Sequence, residues 1–343
     1  MEKRQKVILK EAISNYIQSA EPVGSKLLVE KLNFSVSSAT VRNELKLLET
    51  LGFLKQVYTS SGRIPTDEGY RWYVDFLEGS NGLASVAPVN AQLEMIAVQK
   101  VKNTLNHVAK VMSSLMDYTA IVLTPDIYKM ALKVVHMVLL DLNKVLVVLL
   151  NKLGDNQEFV FNLRQRMSQD DLNKVSQIIT AKMEGLPFFE SSDFVLRHLV
   201  KEFPNYASVF EVLSKEVERL SSFHKTSESI NVHGVSKMIQ LPEFKNVEMT
   251  KNVLTELEEN RFLTELISSH IFGDDDGVVI GKEFNNEKLE DCSLVISPVK
   301  SGGVQAGAIG VLGPKRMKYS YVIPLVKQIS DQVQHYISDQ DGI

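Results

Sequence analysis

The chain has 343 residues, 44% of them hydrophobic and 23% charged, enough for two or three domains with sizeable cores. Its 38 Lys and Arg against 42 Asp and Glu leave a net charge of −4, which excludes a generally basic nucleic-acid binder. The single cysteine, Cys292, excludes an intramolecular disulfide and fits a reducing cytoplasm, and the longest apolar runs, such as Val145–Leu150, are far too short to span a membrane.

The charge is unevenly spread. Residues 1–77 carry 11 Lys and Arg against 9 Asp and Glu, and the remainder 27 against 33. Any contact with DNA must therefore be local, because the rest of the molecule repels phosphate. The first residues begin charged and space their apolar positions, so they do not read as a signal peptide.

In the first segment Leu9, Ala12, Ile13, Tyr16 and Ile17 recur at helical spacing. Pro22 and Gly24 break it, and Ser25 is placed to cap a second, short helix, KLLVEKL. After the turn NFSVS, a third helix is expected from Ser38 to about Leu51, capped by Ser37. Val41, Leu45 and Leu48 share its inward face, while Ala39, Arg42, Asn43 and Lys46 share another. Ser38 and Thr40 sit in its first turn, where unpaired N–H groups and the helix dipole suit phosphate. Arg42 and Asn43 suit base edges, Arg pairing with guanine and Asn with adenine.

Gly52 permits a helix stop at positive φ, and FLKQVY then reads as a strand. A turn through Thr59, Ser60, Ser61, Gly62 and Arg63, with Gly62 at the special position, leads into a return strand beginning IPT. This is a winged helix-turn-helix whose wing offers Lys55 and Arg63 to phosphate or the minor groove. Trp72 and Tyr73, after the wing, are candidates for packing this domain onto the rest of the chain.

Residues 79–90 are small, flexible and contain Pro88, the composition of a linker. A helix is expected over 91–117, then strands in TAIVLTP, LKVVHMVLLD, KVLVVLLN and EFVFNL. Residues 168–270 read as largely helical, opened by Ser168 as a cap and interrupted by a strand in ESINVHGVSKMI. Strands return in GVVIG, DCSLVISPV and QAGAIGVLG, and a helix over Tyr321–Ile337 closes the chain.

No catalytic or metal constellation stands out. The seven histidines (His107, His136, His198, His224, His233, His270 and His335) have no ligand spacing, and GDDDG lacks the spacing of a calcium loop. KSGGVQAGAIGVLG lies between β-type runs, so a hairpin is favoured over a phosphate cradle. No cofactor is expected. Cys292, in an apolar strand, reads as an inert buried thiol.

EPVGSKLL, SSATVRNELKLLETLGFL, TSSGRIPTDEGYRWYVDFL, GVSKMIQLPEF and DCSLVISPVKSGGVQAGAIGVLGPKRMKYSYVIPLV together resemble the HrcA family, the bacterial heat-inducible transcription repressors. The likeness runs over nearly the whole chain, and residues 59–77 and 310–322 are its most specific parts. It implies an α+β multidomain chain: a winged helix-turn-helix at 1–77, a linker at 78–90, a GAF-like sheet domain at 91–160 plus 266–343, and an inserted, mainly helical dimerisation domain at 161–265. It also implies a homodimer that binds double-stranded DNA at an inverted-repeat operator upstream of chaperone operons, and that responds to a GroEL-type chaperonin. Two heads related by a two-fold axis would combine their binding energies on such a repeat. The rival readings are a regulator that binds a small molecule in the sheet domain and an adaptor whose N-terminal domain never touches DNA. Nothing supports an enzyme.

Overall fold

Apolar residues at i, i+3, i+4 and i+7 build the first helix, α1 (Lys3–Ser19), in a computed structural model that describes residues 1–57, 62–80, 82–84, 101–124, 131–152, 156–223, 229–259, 261–271, 276–301 and 304–339. Ile8, Leu9, Ala12, Ile13 and Ile17 of α1 are buried, and Ala20 ends it in the left-handed region at φ 58°. The second helix, α2, spans Ser25–Lys31, with Gly24 rather than Ser25 at its cap position. Ser25 is instead its first residue, and its hydroxyl pairs with that of Ser38 at 2.9 Å. The third helix, α3, spans Ser38–Thr50. Ser37 caps it as expected, its Oγ accepting the N–H of Thr40 at 3.1 Å.

Gly52 stops α3 at φ +85°. Its N–H donates to Glu49 O and that of Phe53 to Leu48 O, both at 3.0 Å, which satisfies carbonyls the helix would leave unpaired. A short antiparallel pair follows, β1 (Leu54–Gln56) with β2 (Arg63–Pro65). Helix α4 (Asp67–Gly79) begins at Thr66, whose Oγ1 accepts the N–H of Gly69 and donates to Gly52 O. Gly79, expected in the linker, thus still belongs to α4. Of the helix expected over 91–117, the described part is α5 (Val101–Leu115).

A five-stranded antiparallel sheet forms the body of the molecule. Its strands are β3 (Thr119–Thr124), β7 (Ser229–His233), β8 (Gly277–Ile280), β9 (Cys292–Ser301) and β10 (Val304–Pro314), in the order β7-β3-β10-β9-β8. Alternation sends Ala120 and Val122 into one core and Ile121 and Leu123 into another. The first face is covered by α5 and the closing helix α12 (Tyr319–Asp339), the second by α10 (Val247–Glu259) and α11 (Arg261–Ile271). Between β7 and α10 lies the single turn α9 (Val235–Met238). Lys237 of α9 places its Nζ 2.6 Å from Ser113 O, a cation at the C-terminus of α5. Pro324 in α12 has no N–H to give Ser320, and the freed carbonyl accepts the N–H of Ala84 at 2.8 Å.

The expected boundaries of the insert shift. β4 (Leu132–Asp141), β5 (Lys144–Asn151) and β6 (Asn156–Asn162) form a separate three-stranded sheet, not part of the five-stranded one. Helices α6 (Gln169–Met183), α7 (Phe188–Glu202) and α8 (Ala207–Phe223) share its core, in which Val135, Val147 and Phe161 meet Leu172, Ile179 and Phe210. The insert therefore carries strands that the sequence pattern assigns to the sheet domain. Residues 229–265, expected in the insert, pack instead on the five-stranded sheet through Val253, Leu257 and Leu263, beside Ile267 of the expected sheet domain. Among the described residues no helix is long and apolar enough to cross a membrane.

Candidate nucleic-acid interface

Helix α3 is anchored by Val41, Leu45 and Leu48, each no more than 1% exposed, which fixes which face it presents outward. Ala39, Arg42, Asn43 and Lys46 are all exposed on that face. No ion pair among the described residues engages Arg42, Lys46 or Lys55. The two acidic residues of α3 are taken up elsewhere. Glu44 is buried and accepts from Arg4 Nε at 2.9 Å and from Gln5 Nε2 at 3.3 Å. Glu49 accepts from Arg63 Nε at 3.0 Å. The outward face of α3 is thus cationic although the helix as a whole is balanced.

Not every expected residue joins that face. The Ser38 hydroxyl is engaged by Ser25 and that of Thr40 by Ser37, at 2.8 Å, so both act inside the unit in the unbound protein. Lys55 is exposed on β1. Thr59, Ser60 and Ser61 lie outside the described residues.

Arg63 and Gly62 differ from expectation in placement. Arg63 is not held out at a hairpin tip. It lies in β2 opposite Gln56, exchanges backbone hydrogen bonds with Val23, and turns its guanidinium back to Glu49, leaving the side chain 14% exposed. Gly62 does not occupy a left-handed turn. It is required because a Cβ there would lie 2.6 Å from the backbone of Pro22 and Val23. The sequence pattern missed Arg4 and Glu44 as organisers of α3. The signal was present: Glu44 lies three residues beyond Val41 on the buried face, where a carboxylate needs a partner.

After the hairpin, Tyr73 is buried against α1 and Trp72 stacks on Phe76 with centroids 5.4 Å apart. Tyr70 of this unit packs onto the body, its ring 6.1 Å from that of Tyr319.

Among the described residues no group of three or more His, Cys, Asp or Glu is placed to hold a metal. Of the acidic turn GDDDG, the described aspartate, Asp276, accepts from Ser297 Oγ and pairs with Lys327 at 2.9 Å. The described residues of the glycine-rich stretch lie in β9 and β10, which pair antiparallel with Ser301 opposite Val304. Burial, with Asp291 nearby, pushes the Cys292 thiol up to about 12. At pH 8 only about one part in ten thousand is thiolate. A disulfide reagent should therefore leave the native protein unlabelled and modify one thiol after denaturation, which a colorimetric thiol assay reads directly.

Residues 102–323 match the family model described as HrcA protein C terminal domain. The chain belongs to the HrcA family. The heat-inducible transcription repressor HrcA of Carboxydothermus hydrogenoformans is 33% identical over 347 residues, 99% of this chain and 99% of that protein. The HrcA repressor of Pelotomaculum thermopropionicum is 33% identical over 328 residues, 95% of this chain and 93% of that protein. The HrcA model begins at α5, so the N-terminal unit with its cationic helix is covered by these full-length relatives. A solved structure described as that of a hypothetical protein at 2.2 Å resolution shares the fold, with TM-score 0.64 and 20% identity over 99% of both chains.

Proposed function

We propose that this protein represses transcription by placing α3 in the major groove of an operator, with residues 1–77 acting as a winged helix-turn-helix. Membership of the HrcA family makes it a transcriptional repressor of heat-shock genes. The observation that carries the DNA-reading assignment is the outward face of α3. Arg42, Asn43 and Lys46 are exposed there, while Glu44 and Glu49 are neutralised from behind. Arg42 and Asn43 read bases, and Lys46 and Lys55 hold phosphate.

One such head reads too few base pairs to find an operator, so two act together as a homodimer on an inverted repeat. The insert supports this assembly. The face of its sheet turned away from its helices exposes Val138 at 43% and Val160 at 40%, joined in register through Leu146, with Leu140 at 51% on the same strand. An antiparallel sheet normally turns polar residues outward there, and a contiguous apolar face suits a second copy. The five-stranded body is a GAF-like domain whose two faces are filled by its own side chains, which favours a packed core over a ligand pocket. The repressor works in the cytoplasm, where its DNA is.

We propose further that a GroEL-type chaperonin controls the active fraction. The sheet pairs strands far apart in sequence, Leu123 beside Ala308 among them, and such topologies fold slowly with apolar surface exposed. Chaperonin added to refolding protein should raise the DNA-competent fraction; an unchanged fraction would rule this out.

The direct test is a footprint on the chaperone promoters of the source genome, followed by gel shifts. Arg42→Ala should cost about 1–3 kcal/mol of specific binding and relax base preference. Lys46→Ala should weaken specific and non-specific DNA alike and flatten the salt dependence. Unchanged affinity for Arg42→Ala would remove α3 from the reading role.

A further inference from the structure

The two stretches that carry the family likeness most specifically meet in space along a seam between the N-terminal unit and the five-stranded body. Asp67, in the first turn of α4, accepts from Lys315 Nζ at 2.8 Å and from the backbone N–H of Lys282 at 3.1 Å. The chain comes this close because Gly281 lies at φ +56°, and a Cβ there would stand 2.4 Å from an Asp67 carboxylate oxygen. One turn on, Arg71 donates to Glu283 Oε1 at 2.8 Å and to the carbonyl of Val278. Arg316 reaches the other end of the unit and donates to Ile17 O at 2.7 Å. Tyr319 packs against Tyr70 while its hydroxyl donates to Lys315 O. Tyr70, Tyr319 and Val322 belong to one apolar cluster that continues from α1 into α5. None of these contacts uses Arg42, Asn43, Lys46 or Lys55.

A covalent connection alone would leave the N-terminal unit free to swivel. The charged contacts flank the aromatic one and fix rotation about it, so the reading face of α3 keeps one direction relative to the body. We infer that Asp67, Arg71, Lys315 and Arg316 are positioning residues for operator binding, which set the half-site separation that the repressor accepts. The inference rests on the proposed function of a two-headed repressor. Two rigidly held heads match only one separation, whereas loosened heads trade affinity at that separation for tolerance of others.

The test uses full-length Arg71→Met and Gly281→Ala, one removing a charged contact and the other placing a Cβ where the Asp67 carboxylate sits, which displaces it from Lys315 and the Lys282 N–H. Each is first checked by circular dichroism and light scattering for fold and assembly. Anisotropy is then read on duplexes carrying the footprinted repeat, with its centre unchanged or lengthened by about five or about ten base pairs, half and one helical turn, and on a single half-site. The wild type should lose at least about tenfold in affinity on the half-turn duplex. Both variants should lose less than about threefold there, bind the unaltered repeat about tenfold more weakly than wild type, and bind the single half-site equally well. Wild-type discrimination retained by both variants would overturn the positioning role. A wild type indifferent to spacing would instead overturn the two-headed reading, and the inference with it.

Discussion

Leu45→Ala should lower the stability of the N-terminal unit by about 2–5 kcal/mol, the range for emptying a fully packed leucine site. Leu45 is 1% exposed, in the same apolar cluster as Ile8, Ile13 and Leu28 from both neighbouring helices. Helices α1 and α2 are each fixed by contacts with α3 and with one another, so the site cannot readily collapse and the upper half of the range is expected. The single tryptophan, Trp72, sits on α4 of the same unit and reports its unfolding by fluorescence. A urea titration of the two proteins should show the midpoint fall with little change in slope. DNA binding should be lost at a temperature where the wild type still binds, because the outward face of α3 is only as well placed as its inward face is packed. An unshifted midpoint would mean that α3 is not seated on this core.

Gly69→Ala sets two effects of opposite sign against each other. Gly69 lies within α4, where alanine is favoured by about 1 kcal/mol on helix propensity. A Cβ at this position would stand 2.2 Å from the carbonyl oxygen of Phe53, a backbone atom already accepting the N–H of Thr66. Backbone cannot swing aside as a side chain can, so the steric term wins. A net loss of about 1–3 kcal/mol is expected, with the hairpin pushed away from α4. The Trp72 urea titration decides the sign: a stabilised variant would show that propensity dominates and that the close approach is relaxed.

The parts of the molecule legible in its sequence are those fixed by neighbours within a few residues. Val41, Leu45 and Leu48 announce the buried face of α3, Ser37 its start and Gly52 its stop, and all five do so in the structure. The closing helix and the strand before α9 are readable for the same reason. Partners remote in sequence are not readable. An alternating run such as KVLVVLLN declares a strand but not which sheet it joins, so an insert boundary placed from the local pattern at 160/161 falls inside β6 instead of before β4. Gly62 and Arg63 look like a turn and a free cation. What decides them is the backbone at Pro22 and the carboxylate of Glu49, neither of which the local pattern contains. Ser25 resembles a cap because a hydroxyl before a helix usually is one; here it is spent on Ser38.

The pairing of β3 with β7 has a consequence for how such a chain can be assembled. Thr124, the last residue of β3, lies directly opposite Ser229, the first of β7. The path that leaves the body at one therefore returns at the other across the width of a single strand pair. Between them in the sequence, residues 131–223, with their own sheet, three helices and core, stand where two or three turn residues would join an ordinary β-hairpin. Closing a flexible loop grows costlier only with the logarithm of its length. The body's register is consequently indifferent to what the loop contains. A domain of any size could occupy that corner without disturbing the strands that hold it.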